Sequence, residues 1–228
     1  MNGTVRTLAL LLSVAILAQE AGGPPTVLPA RAVDILAASL KAASGHASHL
    51  WRDTPSVNAD GTVNAYIEIA RGDRRKWEFD MSAQTRALDR MIPVEIGGYP
   101  VNYGYVPQTV SYDGDPFDAL VLGPALSGGE IVRGVAVGLM MMEDEKGLDS
   151  KVVLSLTDAA GKPMHQLTAE VRKEIGDYFE RYKSLDPGGF SKVPGWGTAS
   201  LGLEFVRTTH MFFEKCTGRT GVACTIPR

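Results

Sequence analysis

Cysteine is scarce in this chain of 228 residues: Cys216 and Cys224, eight positions apart near the C-terminus, are the only two. Such a pair can close at most one small loop in the tail, and neither residue lies near the acidic clusters described below. Histidine is also rare. Of the four, His46 and His49 stand at i, i+3, but no carboxylate or cysteine is spaced to complete a metal site with them, so both are expected at the surface. The net charge of -3 comes with no basic run and no aromatic ladder, which removes the electrostatic basis for binding nucleic acid. A Walker A loop, a nucleophile elbow and a dinucleotide fingerprint are all missing, and with them the enzyme classes that depend on those devices. The apolar run from Leu8 to Ala18 is too short to span a bilayer comfortably, and no cysteine follows it to carry a lipid anchor.

What is present is ordinary globular material, 44% apolar and 21% charged, which suits one domain with a sizeable core. The first segment is less ordinary. Arg6, the apolar run and the small residues that end it follow the order of a secretory signal peptide over residues 1–21, with cleavage after Ala18 or Ala21. This predicts an exported protein, periplasmic or secreted; the competing reading is an uncleaved apolar helix on a cytoplasmic one. A Pro/Gly-rich linker and a short helix, Ala30 to Ala43, fill 22–48 and are expected to precede the main domain, 49–215. In an oxidising compartment the two cysteines, at the start of and within the tail 216–228, are expected to pair; inside the cell they would be inert thiols.

The chain is organised around Tyr99 to Leu122, YPVNYGYVPQTVSYDGDPFDALVL. Asp113, Asp115 and Asp118 fall within six residues beside Gly114 and Pro116, and the apolar run Ala119 to Leu122, a buried strand, follows at once. Carboxylates crowded at the mouth of a buried strand repel one another and lose hydration unless a cation neutralises them. Oxygen donors without nearby His or Cys favour hard cations such as magnesium, manganese or calcium over zinc. The EF-hand alternative fails, because its glycine and glutamate positions hold Asp118 and Pro124. The bland alternative is a solvated Asp/Gly/Pro turn.

Elsewhere, Val63 to Ala70 alternates as a strand with Glu68 at an otherwise apolar position, and RRKWEFD, Arg74 to Asp80, puts Lys76, Glu78 and Asp80 on one face and Trp77 and Phe79 on the other. Gly128 to Gly134 reads as a turn and Val135 to Met142 as a second buried strand. That strand ends in EDEKGLDSK, a second acidic cluster. Leu167 to Leu185 has helical periodicity, stopped by Pro187 and Gly188, and Ala199 to Lys215 reads as a closing helix.

Taken together, YPVNYGYVPQT followed by DGDPFDALVL resembles the signature of soluble family I inorganic pyrophosphatases, and the resemblance runs from about His49 to about Phe213. It implies an α+β fold, a small twisted OB-like β-barrel flanked by two helices, which short strands followed by late helices would fit. It implies magnesium-dependent hydrolysis of inorganic pyrophosphate to two phosphates, with Mn2+ as an alternative cation. By resemblance, Asp113, Asp118 and Asp149 hold the ions that bind the attacking water, Asp144 and Glu68 serve further ions, and Asp115 is the general base. Lys76, Arg90, Tyr103, Tyr182 and Lys183 are implied to clamp phosphate, with Glu78, Glu145 and Lys151 completing the site. The loop from Arg90 to Tyr99 is one residue longer than the family pattern, around Gly97 and Gly98. Bacterial relatives are commonly hexamers, so a homo-oligomer is implied. The competing function is an exported metal- or phosphate-binding protein without turnover, against which the retention of Asp115 argues, since binding alone needs no base.

Overall fold

The computed structural model describes residues 23–217. Five strands close into a ring: β1 (Val63–Ile69), β4 (Asn102–Val106), β5 (Phe117–Leu122), β8 (Lys151–Leu156) and β6 (Ile131–Asp144), which returns to pair β1. All neighbours are antiparallel except β5 and β8, which run parallel. Register shifts at Ile67/Ile69 and Ala136/Gly138 make this an irregular ring in place of a regular barrel, as β-bulges do. β2 (Arg75–Asp80) and β3 (Thr85–Met91) form a separate hairpin, while β7 (Gly147–Leu148) and β9 (Ser191–Gly197) extend β6 beyond the ring. The expected α+β class and OB-like ring stand.

The ring is buried on both faces, which explains its continuous apolar runs. Ala119 and Val121 of β5, with Val152 and Leu154 of β8, face a cluster shared with α1 (Ala30–Ser44) and α4 (Ala199–Thr217). Leu120, Leu122 and Val153 face the other way, onto Ile175, Tyr178 and Phe179 of α3 (Ala169–Arg181). Thr168 caps α3 by accepting from the Val171 amide at 3.4 Å. α4 lies so close to β6 that a methyl group at Gly202 would stand 2.6 Å from the Gly138 carbonyl oxygen.

Several local expectations change. β1 is buried along its whole length, with no alternation, because the ring covers both of its faces. β6 begins at Ile131, so the expected turn to Gly134 is strand, drawn out by pairing with β1. α3 is shorter than Leu167 to Leu185. Among the described residues three long helices pack on the ring, α3 and α4 together with α1, which lies where a short helix is expected and whose Ala32, Leu36 and Ala43 are buried in the core beside Leu28. His49 is also buried. It is the N-cap of the short α2 (Leu50–Asp53), and its Nε2 lies 2.8 Å from the Met81 carbonyl. Cys216 is buried on α4 and disulfide-bonded, whereas Cys224 and the expected signal peptide lie outside the described residues. Among the described residues no helix is long and apolar enough to cross a membrane.

Candidate active site

Where the open ends of β4, β5, β6 and β8 meet the β2–β3 hairpin and the end of α3, a cavity of about 200 Å³ opens to solvent. Seven carboxylates line it, Glu68, Glu78, Asp113, Asp115, Asp118, Asp144 and Asp149, against four lysines, Lys76, Lys146, Lys151 and Lys183. The acidic excess is local, since the chain as a whole is only mildly negative.

Asp113 and Asp115 sit on the turn entering β5. Gly114 between them has φ +99°, a left-handed conformation that suits glycine, and the Asp113 carboxylate accepts from the Asp115 amide at 3.1 Å. Asp118 is one residue inside β5, level with Lys151 at the start of β8. The buried Lys151 ammonium donates to Asp118 at 2.6 Å and to Asp149 at 2.7 Å, and lies 5.6 Å from the Tyr103 ring centroid. Across the cavity, Lys183, just past α3, donates to Asp144 at 2.6 Å and to Glu145 at 2.7 Å. Lys76 bonds Glu78 on its own strand and Asp89 on β3.

The electrostatics follow from this crowding. Burial, then the charge of Asp118, pushes Glu68 up to about 8, although its carboxylate accepts from the Phe79 amide at 2.6 Å. Asp115 stands open to solvent, yet desolvation by the surrounding walls, then Asp113, raises it to about 7. Asp149 rises to about 7 through burial, with Asp118 adding to the rise and Lys151 opposing it. Asp113 is raised by burial and Asp118. Burial and the same carboxylates also raise Tyr103, which keeps its hydroxyl protonated and able to donate.

This donor set fits hard divalent cations: it is all oxygen, it carries excess negative charge, and burial followed by mutual repulsion raises Glu68, Asp113, Asp115 and Asp149, a cost that a cation would relieve. Among the described residues no three ligands are already gathered at one point. Lysines hold Asp118, Asp149 and Asp144 instead.

A family model described as inorganic pyrophosphatase matches residues 65–214. The chain belongs to the inorganic pyrophosphatase family. It is 38% identical to the inorganic pyrophosphatase of Thermus thermophilus over 156 residues, 65% of this chain and 89% of that one. It is 34% identical to that of Sulfolobus acidocaldarius over 154 residues, 64% and 88% of the two chains. A solved inorganic pyrophosphatase structure from Thermus thermophilus superposes with TM-score 0.67 at 35% identity, covering 73% of this chain and 99% of that one.

Within this pyrophosphatase fold, twelve of the fourteen residues singled out from sequence line the cavity. Arg90 and Glu145 do not. Arg90 stands behind Tyr182, its guanidinium 5.4 Å from that ring, and donates to Asp186 at 2.6 Å; Glu145 flanks Lys183 from outside. Sequence reading missed Lys146, which lines the cavity from the β6–β7 turn and whose charge lowers the pKa values of both Asp113 and Asp115. It also missed the apolar wall of Trp77, Phe79, Tyr99, Tyr105 and Phe179. Lys146 lies within the quoted run EDEKGLDSK, where its place among the acids is the one signal that could have found it; the wall residues carry no such signal.

Proposed function

We propose that this cavity hydrolyses inorganic pyrophosphate to two phosphates. The observation that carries the reading is the position of Asp115: within the family match, between Asp113 and Asp118, in a cavity where carboxylates face lysines. Asp113, Asp118, Asp144, Asp149 and Glu68 would hold divalent cations, Mg2+ or Mn2+. Such ions, when bound, neutralise substrate oxygens and acidify the attacking water.

The chain's own groups do the rest. Asp115 accepts the proton of the attacking water at its carboxylate, which stands open to solvent between Asp113 and Asp118. Lys76 and Lys183 bind phosphate oxygens in the cavity, for which Lys183 exchanges Asp144 for substrate; the family resemblance assigns Arg90 to phosphate as well, which requires its guanidinium to leave Asp186 and swing past the Tyr182 ring. Tyr103 and Tyr182 donate hydroxyl hydrogen bonds while their rings stay packed. Glu78, Glu145 and Lys151 orient these groups through the ion pairs described above.

Purified protein should release phosphate from pyrophosphate with Mg2+ and stop when a chelator is added. Asp115→Asn should cut turnover by about 10²- to 10⁴-fold while circular dichroism stays unchanged. Failure of the native protein to release phosphate would overturn the function; near-native turnover in the variant would overturn only the base.

Two further readings rest on sequence and family. Export is supported by the charged, apolar and small-residue order of residues 1–21, and a homo-oligomer by the family's habit.

A further inference from the structure

The loop that carries Asp113 and Asp115 has two sides. One faces the cavity; the other meets the segment that precedes the family match. A methyl group at Gly114 would stand 2.6 Å from the Ala32 carbonyl oxygen and 2.7 Å from Ile35 Cβ, so α1 lies directly on the loop backbone. One residue before Asp113, the Tyr112 hydroxyl donates to the Pro25 carbonyl at 2.8 Å, and its ring sits edge-on to Phe205 and Phe212 of α4. Neither Pro25, Ala32, Ile35 nor Tyr112 lines the cavity.

The loop has reason to need holding. Its own bonds are local: the Ser111 amide donates to the Asp115 carbonyl at 2.7 Å, the Gly114 amide to the Ser111 carbonyl at 3.0 Å, and the Asp115 amide to the Asp113 carboxylate at 3.1 Å. Against these, like charges on Asp113, Asp115 and Asp118 push apart across one cavity wall. A rigid support on the outer side counters that repulsion, and a functional constellation is only as well placed as the shell behind it. The buried Leu28, Ala32, Leu36 and Ala43 anchor the segment to the core, which makes it stiff enough to serve.

We propose that residues 25–44 brace the Asp113–Asp115 loop and hold it in the geometry that binds divalent cations, with Ile35 and Tyr112 as positioning residues. The cation clause rests on the proposed function; the brace itself does not. The family match, residues 65–214, does not include this segment.

The test uses Tyr112→Phe in the full chain, with Ile35→Gly as a second variant. Phenylalanine keeps the Tyr112 ring and removes only the bond to the Pro25 carbonyl, so the fold should survive, while glycine at the 41% exposed Ile35 removes the Cβ that meets Gly114. Two readouts apply: amide hydrogen exchange across residues 107–116, and direct calorimetric binding of Mn2+ without substrate. We expect exchange in that segment to accelerate about tenfold and Mn2+ affinity to fall several-fold, with the ring strands as protected as before. Unchanged exchange, protection lost evenly across the ring strands, or faster loop exchange with unchanged Mn2+ affinity would each overturn the proposal. If the native protein binds no Mn2+, the metal-site reading fails, and the exchange readout still decides the brace.

Discussion

At the scale of single residues, Lys151 concentrates the physics of the site. It is 2% exposed, and burial alone would lower its pKa, but Asp118 and Asp149 raise it and keep it charged. Removing it leaves two confined carboxylates facing each other. Lys151→Met should therefore lower the unfolding free energy by on the order of 3 kcal/mol. Mg2+ should restore part of that loss, because a cation bound to the native carboxylates stabilises the folded state by mass action. Urea denaturation with and without Mg2+ is the measurement, and a loss that Mg2+ leaves untouched would sink the cation site. Residue identity was legible here through the family resemblance, which assigned Lys151 and set the acidic clusters apart from solvated turns. Partners were not. Arg90 meets Asp186, 96 positions away, and Lys183 meets Asp144, 39 positions back; no local pattern announces either pair.

At the scale of elements, a histidine expected at the surface turns out to be a buried cap. His49 Nε2 lies on the Met81 carbonyl and its Nδ1 accepts from the Arg52 amide at 3.4 Å, which requires the neutral ring with its proton on Nε2. Burial is the main cause of a pKa below the ordinary 6.5; the Met81 bond opposes it, and Arg52 and His46 add to it. The sign follows from linkage. Above about 6.5 the ring is neutral in both states, and as pH falls through that value the unfolded chain takes up the proton first, so stability declines until the folded pKa is passed. Denaturation at pH 7.5 and 5.5 should show this loss in the native protein and a smaller one in His49→Asn, which keeps a cap acceptor without the titration. Equal losses would mean that His49 carries no pH dependence. Two histidines at i, i+3 read as surface because the sequence alone does not reveal the β2–β3 hairpin, whose connecting turn carries Met81. Likewise β6 extends past its apolar run, because pairing with β1 recruits Ile131 to Gly134.

At the scale of the molecule, the N-terminus and the cysteines share one expectation. The mature chain should begin at Gln19 or Gly22 and be recovered outside the cytoplasm, and thiol titration of the denatured, unreduced protein should find no free thiol. N-terminal sequencing that returns Met1 on a cytoplasmic product would refute export. Either start keeps Pro25 and Leu28, which the packed body uses. By itself the amino-acid order determined the chemistry: which side chains are acidic, how they are spaced, which runs are apolar enough to be strands, and through these the family. These are local properties, written in neighbouring residues. The resemblance already implied one site for the β5 and β6–β7 acidic clusters; only the tertiary structure decided that Arg90 stands behind Tyr182, that Lys146 lines the cavity with Asp115, and that α1 lies on Gly114. Each of these depends on closing the ring and packing helices on both of its faces, which joins residues tens of positions apart through non-local contacts that periodicity along the chain cannot encode.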